Sequence, residues 1–251
     1  MGTLWTFGCS FTGEYYPVDD NYIKSNYDLY KSWRGGTLPD VWPTLLGKKL
    51  NMKVENRGIG GDSNYGILTQ FFNAVDLIKE GDVVVFGWTN VVRFQAANSD
   101  SSNGFNQILP TIIDYPDTGL SPKTIEEILI NRSNPNWLTE IVNWIKFINL
   151  FMEKSKVNVY HWNSHYELFN IHSNFIDSKR FMVLDESNEY QLREMLGHLS
   201  HPDWYNGQLK AKIIEETNGE IEDCHFGEYG HITQANVFYE HIMNNLQFDI
   251  K

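Results

Sequence analysis

The sequence predicts a three-layer α/β/α fold around a mainly parallel central sheet of about four or five strands. Short strand-like runs recur along the chain: "TLWTFG" at 3–8, "MKVEN" at 52–56, "DVVVFGW" at 82–88 and "VNVYHWN" at 157–163. Segments of helical period separate them, and strands that alternate with helices make parallel α/β sheets. The run at 82–88 is continuously apolar, as a central strand covered on both faces must be. No internal repeat, low-complexity tract or linker interrupts the chain, which predicts one domain over residues 1–251.

Each element has its own signal. "TLWTFG" is an apolar run closed by Gly8. "DVWPTLLGKKLN" (40–51) opens with Asp40 and Pro43 and closes on Lys48 and Lys49, which are helix start and stop signals. "MKVEN" is a short strand, and "RGIGGDSN" is a glycine-rich turn. "YGILTQFFNAVDLIKEG" has helical apolar spacing up to a terminal glycine, predicting a helix over 65–81. After the strand at 82–88, residues 95–122 are rich in Ser, Asn, Pro and Gly and read as a long loop. "SPKTIEEILINR" and "NPNWLTEIVNWIKFINLFMEKSK" read as two helices. "VNVYHWN" is the next strand, and "GHITQANVFYEHIMNNLQ" (230–247) closes the chain as an amphipathic helix. The weakly patterned stretches near 12–39, 91–123 and 164–220 are expected as insertions around one edge of the sheet.

Composition narrows the function. Hydrophobic residues make up 41% and charged residues 21% of the 251 residues, as in soluble globular proteins. The net charge of −12 opposes binding to nucleic acid and to anionic membranes. No run of 18 apolar residues is present, so no transmembrane helix is expected. The N-terminus lacks the basic-then-apolar pattern of an export signal, and a cytoplasmic location is the expectation. The two cysteines, Cys9 and Cys224, are too few for a disulfide framework.

The strand ends carry the polar residues. The first ends in "GCS" (8–10), the second runs into "NRGIGGDSN" (56–64), the third ends in "GWTN" (87–90), and "DCH" (223–225) stands before the last helix. In open α/β sheets, sites gather at the C-terminal ends of the strands. These are the parts of an acyl-transfer site. A serine needs a histidine to take its proton, the histidine needs a carboxylate to hold its tautomer, and the tetrahedral oxyanion needs fixed N–H donors.

In these four blocks and their order, from Thr3 to about Leu246, the sequence resembles the SGNH (GDSL-like) hydrolases, whose fold is flavodoxin-like. The resemblance implies Ser10 as nucleophile and oxyanion donor, Gly61 as a second donor, His225 as base and Asp223 as its orienter. Where the family has Gly-x-Asn, this chain places Thr89, with Asn90 one residue later; both are candidates for the third donor. The family tail is Asp-x-x-His, whereas here it is the shorter Asp223-x-His225. "WTNVVR" is similar to phage and marine microbial variants of the fold, and a phage-encoded chain would be virion-associated. The implied activity is serine-esterase hydrolysis of small acyl esters, O-acetyl groups on carbohydrate among them, with no cofactor. The implied partner is that ester substrate, with no nucleic acid and no membrane.

Trp88 and Arg93, beside the third block, are candidate substrate contacts. Two other functions compete. One is an inactive binding or virion-structural module on the same fold. The other is a metal-dependent hydrolase using histidines; His161 and His165 have i, i+4 spacing, and His172, His198 and His201 form a looser set. No HExxH or cysteine partner accompanies them, so no metal site is expected. A dinucleotide-binding loop is not expected, because the fingerprint Gly-x-Gly-x-x-Gly would need glycine where Ser63 stands. Cys9 reads as a small buried hydrophobe. If the site assembles, Cys9 and Cys224 come close, and a disulfide between them needs Cα atoms within about 7 Å.

Overall fold

The computed structural model describes residues 2–14, 31, 36–89, 93–97, 105–108, 123–124, 127, 135–163, 177, 179–182 and 228–250. Its elements are β1 (Thr3–Gly8), α1 (Trp42–Leu50), β2 (Lys53–Asn56), α2 (Asn64–Phe72), β3 (Val83–Trp88), β4 (Phe94–Ala97), β5 (Phe105–Ile108), α3 (Pro135–Glu153), β6 (Asn158–Asn163) and α4 (Glu228–Asn244). Strands β2, β1, β3 and β6 form a parallel sheet in that order. The chain steps outward from β1 to β2 and then crosses back to place β3 on the other side of β1. That reversal opens a switch point between the C-terminal ends of β1 and β3. Beyond β6, His161 bridges in parallel to Phe181, with His161 N donating to Arg180 O at 2.8 Å and Met182 N to His161 O at 2.7 Å.

Strand alternation sorts the apolar side chains onto two faces. Trp5, Phe7, Val84, Phe86, Trp88 and Val159 pack with α2 and α3, against Ile67, Phe71, Ile145 and Ile148. Leu4, Val83, Val85, Tyr160 and Trp162 pack with α1 and α4, against Trp42, Leu46, Phe238 and Ile242. The second face has an aromatic centre: the Phe238 ring stands edge-on to Trp42 at 4.7 Å and to Trp162 at 5.5 Å. Offset and edge-on rings are the favoured arrangement for such pairs. The three layers of the predicted fold class are therefore present.

The helix signals work locally. α1 carries Pro43 in its first turn and ends on Asn51, whose φ of 53° is left-handed. Asn51 N and Met52 N then satisfy Lys48 O and Gly47 O, which the helix leaves unpaired. Ser63 caps α2 by accepting Gly66 N at 3.2 Å.

Two expectations are corrected. The helix foreseen over 65–81 stops at Phe72; Asn73 closes it, and a short 3-10 turn, Val75–Leu77, follows. The loop foreseen over 95–122 holds most of an antiparallel pair, β4 with β5. The stretches near 12–39 and 164–220 and the helix expected over 121–132 lie largely outside the described residues. No helix among the described residues is long and apolar enough to cross a membrane.

Candidate active site at the β1–β3 switch point

β1 ends in a tight turn. Thr12 N and Gly13 N both donate to Cys9 O, at 2.9 and 3.0 Å. The turn separates the two adjacent candidate nucleophiles: Cys9 is fully buried in the core under α1, whereas Ser10 is partly exposed. The loop after β2 folds against this turn. Ile59 N donates to Gly8 O at 3.0 Å. A Cβ added to Gly58 would come within 2.5 Å of Gly13 N, so the two backbones approach as only glycine allows. Gly61, at φ 74°, occupies the left-handed region where a side chain is costly.

Thr12 fills the space above the strand ends. Its Oγ1 would lie 2.2 Å from a Cβ on Gly8 and 2.6 Å from one on Gly87, the residue paired with Gly8 across β1 and β3. The side chain is buried, and its Oγ1 has no hydrogen-bond partner among the described residues.

Three buried polar side chains from one segment tie these loops together. Asn64, at the start of α2, holds Thr89 at both backbone groups: Thr89 N donates to Asn64 Oδ1 at 2.8 Å, and Asn64 Nδ2 donates to Thr89 O at 2.9 Å. Gln70, two turns along α2, does the same for Gly8. It accepts Gly8 N at 3.1 Å and donates to Gly8 O at 3.2 Å, while its amide also donates to Asp62 Oδ2. Asp62 accepts Ser63 N at 2.9 Å, and its carboxylate occupies the space that a side chain on Gly66 would need. Sequence pattern pointed to none of these three. The one available signal was polar Gln70 on the apolar face formed by Ile67, Phe71 and Ala74.

Ser10, Gly61 and Thr89 are brought to the same end of the sheet. Thr89 is fully buried, and its Oγ1 has no hydrogen-bond partner among the described residues. Arg93 is placed one residue before β4 and is partly buried. Asn90, Asp223, Cys224 and His225 lie outside the described residues. Trp88 is corrected from a substrate contact to a core residue. Alternation turns it away from the Gly87 face, and its fully buried ring stacks on Phe86 at 5.3 Å.

His161 is also structural. It is fully buried, its Nδ1 accepts Trp88 Nε1 at 3.2 Å, and its Nε2 meets Asn149 Oδ1 at 2.9 Å. This pattern fixes the neutral tautomer with hydrogen on Nε2. Burial, aided by the Arg180 charge, pushes its pKa down to about 3. With both nitrogens engaged, His161 is withdrawn from the proposed metal set; His165, His172, His198 and His201 lie outside the described residues. His231 and His241 have backbone partners: Trp42 N donates to His231 Nδ1 at 3.1 Å, and His241 Nε2 donates to Lys179 O at 3.0 Å.

No protein-family model matches the chain, and no curated protein matches it in sequence. Solved structures similar to it share little identity. One, from Agrobacterium tumefaciens, is described as an arylesterase; identity is 11%, 98% of this chain and 100% of that chain are covered, and the TM-score is 0.38. Another is a carbohydrate esterase described as having divergent catalytic and non-catalytic binding functions; identity is 12%, with 97% of this chain and 65% of that chain covered, at a TM-score of 0.37. A third, from Desulfitobacterium hafniense, is described as a lipolytic protein of the G-D-S-L family; identity is 12%, with 96% of this chain and 99% of that chain covered, at a TM-score of 0.39.

Proposed function

We propose that the chain is a serine ester hydrolase acting on small acyl esters, with carbohydrate O-acetyl groups as one such class, through an acyl-enzyme. The observation that supports this most is the partly exposed Ser10 on a tight turn at the sheet's switch point, packed against a loop that carries the left-handed Gly61. In this reading His225 takes the proton of Ser10 as the hydroxyl oxygen attacks the ester carbonyl. Asp223 holds the imidazole and stabilises its charge. The negative charge on the tetrahedral intermediate meets the N–H groups of Ser10 and Gly61 and one donor from Thr89 or Asn90. Collapse breaks the ester C–O bond, and the alcohol leaves with the proton from His225. Water, deprotonated by His225, then releases the acid and restores Ser10.

The burial of Cys9 next to a partly exposed Ser10 supports the hydroxyl over the thiol as nucleophile. The test is turnover of p-nitrophenyl acetate by wild type and Ser10→Ala. Removing a triad nucleophile costs several orders of magnitude, about 10⁴-fold or more, with the fold intact by circular dichroism. Unchanged turnover in Ser10→Ala sinks the assignment.

A further inference from the structure

We infer that Gln70 and Asp62 are positioning residues that set the spacing between the Ser10 and Gly61 backbone donors. The inference rests on the serine-hydrolase reading and adds to it two side chains that touch no reacting atom.

The need arises at the end of the sheet. The ladder between β1 and β2 stops at Thr6 and Asn56, two residues before Gly8. On that side Gly8 has no strand to hold its N–H and C=O. The Gln70 amide takes the place of a peptide group, with Oε1 on Gly8 N and Nε2 on Gly8 O, while Ile59 N shares the carbonyl. Ser10 follows two residues later. The second Nε2 hydrogen goes to Asp62 Oδ2, and Asp62 is the residue after Gly61. A buried path therefore runs from the nucleophile turn through Gly8, Gln70 and Asp62 to the glycine turn.

The path has a direction. The amide has one oxygen and two N–H donors in use, so rotating it by half a turn would set donor against donor at Gly8 N and oxygen against oxygen at Asp62. Gln70 is 8% exposed and Asp62 1%, so water does not readily replace a lost contact. Asp62 is in turn fixed by Ser63 N and by the bare Cα of Gly66. Donors that are misplaced relative to each other weaken binding of the tetrahedral oxyanion more than binding of the flat ester. The loss therefore appears in kcat and not in KM.

The experiment compares Gln70→Met, Asp62→Asn and the double variant on p-nitrophenyl acetate, with Ser10→Ala alongside. Met keeps the length of Gln70 but cannot form the amide contacts. Asn keeps the shape of Asp62 but has one acceptor oxygen for the two donors Ser63 N and Gln70 Nε2, so one of the two contacts becomes donor against donor. Each single variant is expected to lose about 100-fold in kcat, with KM within about threefold, and the double variant to lose no more than the worse single, as for two parts of one link. If Gln70→Met does not fold, Asp62→Asn and Gln70→Glu carry the same expectation. Single variants that keep kcat within threefold overturn the inference, as do losses that multiply in the double variant or fall on KM. If Ser10→Ala abolishes turnover while the Gln70 and Asp62 variants keep it, the positioning role alone fails. If Ser10→Ala keeps turnover, or wild type neither turns over the ester nor is labelled at Ser10 by a fluorophosphonate, the serine-hydrolase reading fails and the positioning role falls with it.

Discussion

His161 accepts the Trp88 indole at Nδ1 and donates from Nε2 to Asn149, so an added proton would have to displace the indole inside the core. Its pKa is about 3 in the fold and near 6.5 in an unfolded chain. Between those values the unfolded state binds the proton and the folded state does not. Stability from this residue is therefore complete above about pH 6.5 and is lost as pH falls toward 3. From pH 7 to pH 5 the expected loss is about 2 kcal/mol. Urea unfolding of wild type and His161→Gln at both pH values measures it: wild type should lose more stability than the variant, and equal losses would refute the account. Thr89 poses a different question. Its buried Oγ1 makes no hydrogen bond among the described residues, so Thr89→Val should leave the thermal midpoint nearly unchanged. If the hydroxyl is the third oxyanion donor, kcat falls about 100-fold. Full turnover in Thr89→Val assigns that donor to Asn90 instead.

α1 and β2 fit together through one small residue. A Cβ on Gly47 would lie 2.1 Å from Val54 Cγ2. Gly47→Ala should therefore destabilise by about 1–3 kcal/mol, although alanine is the better helix former. Val54→Ala in the same chain should recover part of the loss, which thermal melts of the single and double variants would show; no recovery would mean that the strain lies elsewhere. Elements were legible where packing and periodicity agree. The run at 82–88 had to be a central strand because both its faces are covered. The helix ending was misjudged because Val75, Leu77 and Ile78 prolong the apolar spacing beyond Asn73, where the chain tightens into the 3-10 turn. The strands β4 and β5 were hidden by their brevity and by the Ser/Asn/Gly stretch between them. Four-residue strands hold too few positions for a period of two to stand out.

Over the whole molecule, the strand order turns a list of strand ends into a place. β1 and β3 are neighbours, so the residues after Gly8 and after Trp88 leave the same end of the sheet although eighty positions separate them. Ser10 and Thr89 are legible as strand-end residues because the runs at 3–8 and 82–88 are apolar, and Gly61 because it stands in the glycine-rich turn after the short strand at 52–56. Asn64 and Gln70 escaped, because a side chain that stands in for a missing strand has a meaning only once the edge it completes is known. Trp88 was misassigned for a related reason: adjacency to the third block does not say which face of β3 a residue occupies. The seat of Thr12 between Gly8 and Gly87 carries a consequence for how such a chain can change. A larger residue at position 8 or 87 requires a smaller one at position 12, although position 87 lies far along the chain from the other two. They behave as one mutational unit, and a substitution tolerated at one of them depends on the history of the other two.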